Sequence, residues 1–258
     1  MTPTEHAMRL VAARRDRALV PNADFALVDS LEAGFAVQNA MTALYDEPIV
    51  GWKVALPPDA ILYAPIYANG RFSSGARLGL GTSLADGIEC ELAFTLDRSL
   101  PPWREEGYEP EVVLQAFGLV SASFELLQCR LEQRFKSPRP HLVADHLGNG
   151  GIVLGASRGN WQSLDLSAIE LSLAIDGSER LRQHGGNPLG DPRRALTALV
   201  NHLGAQGVLL EVGQVVMTGA FTGVHQLEAE RHVRLAFAGL EPVEFSITDE
   251  GAFGNACG

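Results

Sequence analysis

The chain lacks the roughly 18 consecutive apolar residues that a membrane-spanning helix requires. Its first twenty residues carry no uninterrupted apolar centre either. Glu5, His6, Arg9, Arg14, Arg15, Asp16 and Arg17 break the segment, so no secretory signal is read there, no membrane partner is expected and the expected location is cytoplasmic. Cysteine is scarce: Cys90, Cys129 and Cys257 are an odd set at unrelated spacings with no C-x-x-C, which excludes a zinc knuckle or a dithiol redox motif and leaves buried or incidental thiols. Positive charge is short as well. Lys plus Arg number 20 against 31 Asp plus Glu, a net charge of −11, and no basic stripe is visible, so a nucleic-acid partner is not expected. A chain this acidic that handles an anion has to supply local positive charge from a metal ion or a few placed lysines and arginines. Fixed-period repeats, low-complexity stretches and nucleotide-loop glycine spacings are also absent.

What is present suffices for a large core in one or two domains: 258 residues, 46% hydrophobic and 20% charged. Thr2-Pro3-Thr4-Glu5 joins a capping box to proline in the first turn and predicts a helix over about residues 3–18. Asp29-Ser30-Leu31-Glu32 repeats the cap. Leu31, Phe35, Gln38, Met41, Thr42 and Tyr45 then recur at helical spacing until Asp46-Glu47-Pro48 stops the second helix. Short apolar or alternating runs punctuated by glycine and proline predict strands over 49–56, 61–67, 88–96, 119–127, 152–154 and 169–175. Asp191-Pro192 opens one further helix, striped by Leu196, Leu199, Val200 and Leu203 and closed by Gly204 or Gly207. Strands return over 208–217, 232–237 and 243–247.

Three charged positions stand out inside these apolar runs. In Ile88-Glu89-Cys90-Glu91-Leu92-Ala93-Phe94 two carboxylates sit two apart, which on a strand puts them on one face and Cys90 on the other. Like charges held so close repel unless a cation lies between them, and all-oxygen ligands suit Mg²⁺, Mn²⁺ or Ca²⁺. A solvent-facing strand side with two glutamates gives the same spacing. Glu125 lies among small and apolar neighbours in Ser121-Ala122-Ser123-Phe124-Glu125-Leu126-Leu127, as a third ligand or as a surface acid. Lys53, in Val50-Gly51-Trp52-Lys53-Val54, reads as a proton carrier with a lowered pKa, as a carboxylate anchor, or as an edge lysine that snorkels to water. The runs 145–151 and 185–192 are glycine-rich turns first and site loops second.

In this order the segments resemble the 2-keto-4-pentenoate hydratase family of the fumarylacetoacetate hydrolase superfamily, over residues 30–240. Gly51-Trp52-Lys53-Val54 looks like the family's G-x-K-[IV], 88–94 like V-E-x-E-[IL]-A-F, and Phe124-Glu125-Leu126-Leu127-Gln128-Cys129-Arg130 like L-E-[IV]-[IV]-D-S-R. Residues 145–155 parallel D-N-x-S-S-x-x-x-x-L-G, Gly186-Asn187-Pro188-Leu189 parallels the G-N-P loop, and 213–219 parallels G-D-x-[IV]-[LM]-[ST]-G.

The resemblance implies an α+β fold with a mixed β-roll or β-sandwich core behind an N-terminal helical segment, residues 1–48 preceding a β-rich catalytic domain over 49–258. It implies Mg²⁺ or Mn²⁺ on Glu89, Glu91 and Glu125, catalytic roles for Lys53 and secondarily Asp59, and substrate contacts from Arg130, Asp145, Asn149 and Thr218. The implied enzyme is a hydro-lyase of aromatic-compound catabolism, a homo-oligomer adding water to a small 2-hydroxy-2,4-dienoate (a 2-oxo-4-pentenoate-like acid) to give a 4-hydroxy-2-oxo acid. Three alternatives share the scaffold: a 4-oxalocrotonate-type decarboxylase with Arg130 on the second carboxylate, an acylpyruvate-type C–C hydrolase using His141 or His146, and a catalytically degenerate partner subunit. The departures are a shortened segment over 54–60, where Pro58-Asp59 stands for the family's P-D-[FY]-G turn, and Gln128, His146, Gly148 and Asn149 in place of aspartate, asparagine and two serines.

Overall fold

The computed structural model describes residues 1–79, 86–102, 106–227 and 231–248, so Cys257 lies outside the described residues. Two helices open the chain, α1 (Pro3–Asp16) and α2 (Leu31–Leu44). The Thr2–Glu5 capping box forms as expected, and Arg17 in the left-handed region ends α1 two residues before the predicted stop. Strands β1 (Ile49–Ala55), β2 (Leu62–Tyr67), β3 (Arg71–Ser73), β4 (Ala76–Gly79) and β5 (Gly87–Thr95) follow. Next come α3 (Pro110–Ala116), β6 (Leu119–Leu127), α4 (Arg139–Ala144), β7 (Asn149–Leu154), β8 (Glu170–Ile175) and β9 (Ser178–His184). The series closes with α5 (Arg193–Ala205), β10 (Val215–Met217), β11 (His232–Phe237) and β12 (Val243–Thr248).

The strands form two mixed sheets, one in the order β2-β1-β10-β5-β6-β7-β3 and one in the order β4-β12-β11-β8-β9. The fold is the α+β sandwich expected from the resemblance. Period-two alternation explains how the sheets meet. Ile88, Cys90, Leu92 and Phe94 of β5 and Val120, Ala122, Phe124 and Leu126 of β6 join the main core with Val233, Leu235, Val243 and Phe245 of the second sheet. Phe124 and Phe245 stand edge to face at 5.1 Å across the interface, an arrangement worth about 0.5–1.5 kcal/mol beyond the area it buries. The other residues of β5 and β6 face away from this core, and there the acids lie.

The opening helices build a separate apolar cluster in which Leu10, Phe25, Val37 and Met41 pack on Cys129, Leu131 and Ala144. Gly34 permits this docking, because a Cβ there would sit 2.5 Å from the Pro140 carbonyl oxygen. Gly51 plays the same part between β1 and β10, where a Cβ would meet the Val215 carbonyl at 2.4 Å.

Several elements differ from the sequence reading. Residues 208–217 contain only the three-residue β10, because Gly213 turns at φ +87° and Leu210 makes an isolated bridge to Leu100. β3 and β4 are too short to carry a periodic signal, and β9, Ser-Glu-Arg-Leu-Arg-Gln-His, is a polar edge strand without apolar alternation. The expectation of a single helix after residue 49 is corrected by α3 and α4, of seven and six residues, each opened by a proline in its first turn. Among the described residues no helix is long and apolar enough to cross a membrane.

Candidate metal centre and substrate pocket

Strands β5 and β6 pair antiparallel with Glu89 directly opposite Glu125. Glu91 follows two residues along the same face of β5, so three carboxylates converge, with one oxygen from each within 4.8 Å of the others. Lys53 arrives from β1, whose neighbour β10 pairs in turn with β5. Its Nζ donates to Glu125 Oε1 at 2.5 Å and to the Leu147 carbonyl at 3.4 Å. Asn149 Nδ2 donates to the same Glu125 oxygen at 2.9 Å, and the Gly219 amide donates to Glu91 Oε2 at 3.0 Å. Glu125 Oε2 is fully buried without a hydrogen-bond partner.

Three acids therefore face one lysine. Burial first, then repulsion from Glu125, pushes the Glu89 carboxyl up to about 7, with Lys53 opposing. Burial, Glu125 and Glu89 in that order hold Glu91 well above the ordinary carboxylate range. Burial also works against the Lys53 ammonium, but Glu125, Glu89 and Glu91 outweigh it and raise its pKa above the ordinary lysine value. This corrects the reading of Lys53 as a proton carrier with a lowered pKa. A hard divalent cation fits this donor set: all the ligands are oxygens, they lack positive charge, and one buried lone-pair donor has no partner. Cys90 projects into the opposite, apolar face, where burial first pushes its thiol up to about 12; it is a core residue.

The acids form the floor of a cavity of about 700 Å³. Its walls are Leu56, Pro57, Pro58 and Leu62 on one side and Pro188, Leu189, Thr218, Gly219 and Ala220 on the other, and Arg139 and Arg194 also line it. Asn187 fixes the second wall by donating to the Thr218 and Gly219 carbonyls, both at 3.1 Å.

No protein-family model matches the chain. It is 25% identical over 253 residues to the 2-keto-4-pentenoate hydratase of Burkholderia vietnamiensis, covering 93% of this chain and 92% of that one. It is 24% identical over 252 residues to the 2-hydroxyhexa-2,4-dienoate hydratase of Comamonas testosteroni, with 92% and 94% covered. In three dimensions it matches the 4-oxalocrotonate decarboxylase from Pseudomonas putida G7, solved with magnesium and adipate, at a TM-score of 0.83 over 95% of this chain and 97% of that one, at 18% identity. The chain is similar in sequence to 2-keto-4-pentenoate hydratases over about nine-tenths of its length and shares its fold with the decarboxylase.

Not every residue that the family pattern marks reaches the cavity. Arg130 and Asp145, expected as substrate contacts, form a buried ion pair elsewhere. Arg130 Nη1 meets Asp145 Oδ1 at 2.8 Å, its Nη2 meets the Asn149 carbonyl at 2.7 Å, and its backbone amide meets Asp145 Oδ2 at 2.7 Å. With 2% and 0% of their side chains exposed, neither is free to touch a substrate. They brace the 145–149 loop, and that loop presents Asn149 and the Leu147 carbonyl to Glu125 and Lys53. The same loop holds His146 and Leu147 at φ +52° and +54°, a conformation that costs an L-residue energy and that the buried ion pair sustains.

Asp59 is corrected too. It is 66% exposed on its side chain and makes two bonds to Arg139, at 2.8 and 2.9 Å, rather than lining the cavity. Asn149 is buried against Glu125 and acts through it, whereas Thr218 does line the cavity, with its hydroxyl given to the Leu92 carbonyl at 3.4 Å. His141 bonds Asn22 at 3.2 Å and His146 is fully buried, and neither lines the cavity. The Gly219 amide, the Leu147 carbonyl and the two arginines escaped the sequence reading. The first two lie in runs that the sequence analysis marked, 213–219 and 145–155, but backbone groups and isolated arginines have no periodic signature.

Proposed function

We propose that this chain is a divalent-metal-dependent hydro-lyase that adds water to a 2-hydroxy-2,4-dienoate, giving a 4-hydroxy-2-oxo acid, with Mg²⁺ or Mn²⁺ on Glu89, Glu91 and Glu125. The observation that carries this reading is the cation deficit at the cavity floor, three converging carboxylates against one lysine with Glu125 Oε2 unpartnered. A divalent ion held there supplies Lewis-acid polarisation of the carboxylate and 2-oxo oxygens of a 2-oxo acid.

The remaining work falls to the chain's own groups. Lys53 is an ammonium that spends one N–H on Glu125 and one on the Leu147 carbonyl, which leaves a third for the substrate. Its Nζ is the group placed to anchor the carboxylate or to pass the proton that the far carbon gains on ketonisation, after which water adds across the conjugated double bond. The apolar walls at Leu56, Pro57, Leu62 and Leu189 limit bulk water around the reacting carbons. Asn149 and the Gly219 amide hold the carboxylates of Glu125 and Glu91 in place. The same reading makes the protein a cytoplasmic homo-oligomer serving aromatic-compound breakdown.

The test is a spectrophotometric assay of purified protein with 2-hydroxydienoates of different length and Mg²⁺ or Mn²⁺. Loss of the dienol absorbance with formation of the 4-hydroxy-2-oxo acid, abolished by chelator and restored by metal, is expected. No turnover with either ion would sink the enzymatic reading, and release of CO₂ would replace hydration by decarboxylation.

A further inference from the structure

We propose that Arg194, with Arg139 beside it, reads a second carboxylate at the far end of the substrate, so that this pocket prefers dicarboxylic 2-oxo or 2-hydroxydienoate acids over monoacids of equal length. The inference rests on the proposed function only in taking the acid floor as the seat of the substrate's 2-oxo acid head.

The burial gradient orders the cavity. Glu125 and Glu91 at the floor are 0% and 2% exposed, whereas Arg139 and Arg194 are exposed residues, so they mark the mouth. Much of the remaining lining is apolar: Leu56, Pro57, Pro58, Leu62, Pro188 and Leu189. A ligand whose head is held at the floor thus runs its chain along apolar walls and brings its far end to the guanidinium groups. A methyl or vinyl end offers those groups nothing. A carboxylate there meets a planar fork of donors that matches its geometry.

The two arginines are not equivalent. Arg139 already gives two bonds to Asp59, so much of its charge is balanced. Arg194, in the first turn of α5, donates to the Leu189 carbonyl at 3.2 Å and has no carboxylate partner among the described residues. That bond ties it to the loop which Asn187 anchors on the Thr218 and Gly219 carbonyls, so its position is coupled to the wall and to the Gly219 amide on Glu91. Arg194 is therefore the specificity-determining contact. Arg139, delivered by α4 and held by the short turn after β1, sets the shape of the mouth.

The experiment uses two matched pairs. For binding, 2-oxoadipate and 2-oxohexanoate have the same chain and differ in the distal carboxylate, and each is titrated calorimetrically into the Mn²⁺-loaded protein. For turnover, the six-carbon 2-hydroxydienoate is compared with the corresponding diacid. Wild type is expected to favour the diacid in both pairs. Arg194→Met should collapse that preference by about 10- to 100-fold, the size of a charge-assisted carboxylate contact, and Arg139→Met by less. Equal affinities for the binding pair in wild type, or a preference untouched by Arg194→Met, would overturn the proposal and leave Arg194 a solvated surface charge. A retained binding preference without turnover of either dienoate would overturn the hydro-lyase reading while upholding the carboxylate subsite.

Discussion

Two buried charge clusters stand within one loop of each other, and they are built on opposite principles. Around Arg130 and Asp145 one guanidinium binds one carboxylate, and both carboxylate oxygens and both terminal guanidinium nitrogens have partners, leaving only Arg130 Nε of the pair without one. Around Glu125 three acids meet one lysine, one carboxylate oxygen has no partner, and the Glu89 and Glu91 carboxyls are pushed up. A buried pair in which cation and anion satisfy each other is a structural device. A buried cluster with an unmet demand for positive charge suits a cation, because ionised acids held this close disfavour the empty state.

The sharpest way to break this comparison is to remove an acid from the unbalanced cluster. Glu91→Ala should lower Mn²⁺ affinity by at least about 10²-fold and abolish metal-dependent turnover, while the metal-free protein stays folded because repulsion is relieved. Titration calorimetry and a thermal melt decide it, and unchanged affinity would remove the metal centre. The balanced cluster should respond in the reverse sense. Arg130→Met leaves Asp145 buried and uncompensated, which should cost about 3–5 kcal/mol of stability, read as a lowered urea midpoint. Its effect on Mn²⁺ affinity per folded molecule should be far smaller than that of Glu91→Ala. A variant as stable as wild type would mean that the pair is not the brace described here.

Lys53→Met removes the only positive charge that contacts the acids among the described residues. If Lys53 passes a proton, kcat should fall by about 10² with little change in KM, whereas an anchoring role raises KM instead. Both constants near the wild-type values would place Lys53 outside the reaction. Asn149 connects the two clusters, since its carbonyl holds Arg130 and its side chain holds Glu125. Asn149→Ala keeps the carbonyl and deletes the amide, so metal affinity should drop by about tenfold while stability changes little. A loss of stability matching that of Arg130→Met would show that the clusters act as one.

The smallest effect is a pH trend of opposite sign for folding and for metal binding. Glu89 titrates near 7 in the fold against an ordinary 4.5, so the folded chain holds its proton over a range in which the unfolded chain has released it. The resulting stabilisation of the metal-free protein is complete below about 4.5 and is lost as pH rises through about 7. Mn²⁺ needs the ionised carboxylate, so its affinity should fall over the same interval as pH is lowered. Melting curves and titrations at matched pH values check both, and trends of the same sign would contradict the linkage.

The sequence by itself determined the local part of this protein. Thr2, Pro3 and Glu5 set the start of α1, and the alternation over 88–94 set which β5 residues enter the core and which carry acids to the other face. The order of the motifs brought the family resemblance into view. Spacing reports faces, and faces were read correctly for Glu89, Glu91 and Cys90. Only the tertiary structure decided which faces meet. It placed Glu125 opposite Glu89 and gave Arg130 to Asp145 rather than to a substrate. It turned Asp59 out onto Arg139 and set Arg139 and Arg194, from helices more than fifty residues apart in sequence, at one mouth. The physical reason is that an ionisable side chain looks the same in a sequence whether its partner is a neighbouring charge, a metal or a ligand. Its role is fixed by the balance of charge and hydrogen bonds around it, and that balance is made by residues distant along the chain.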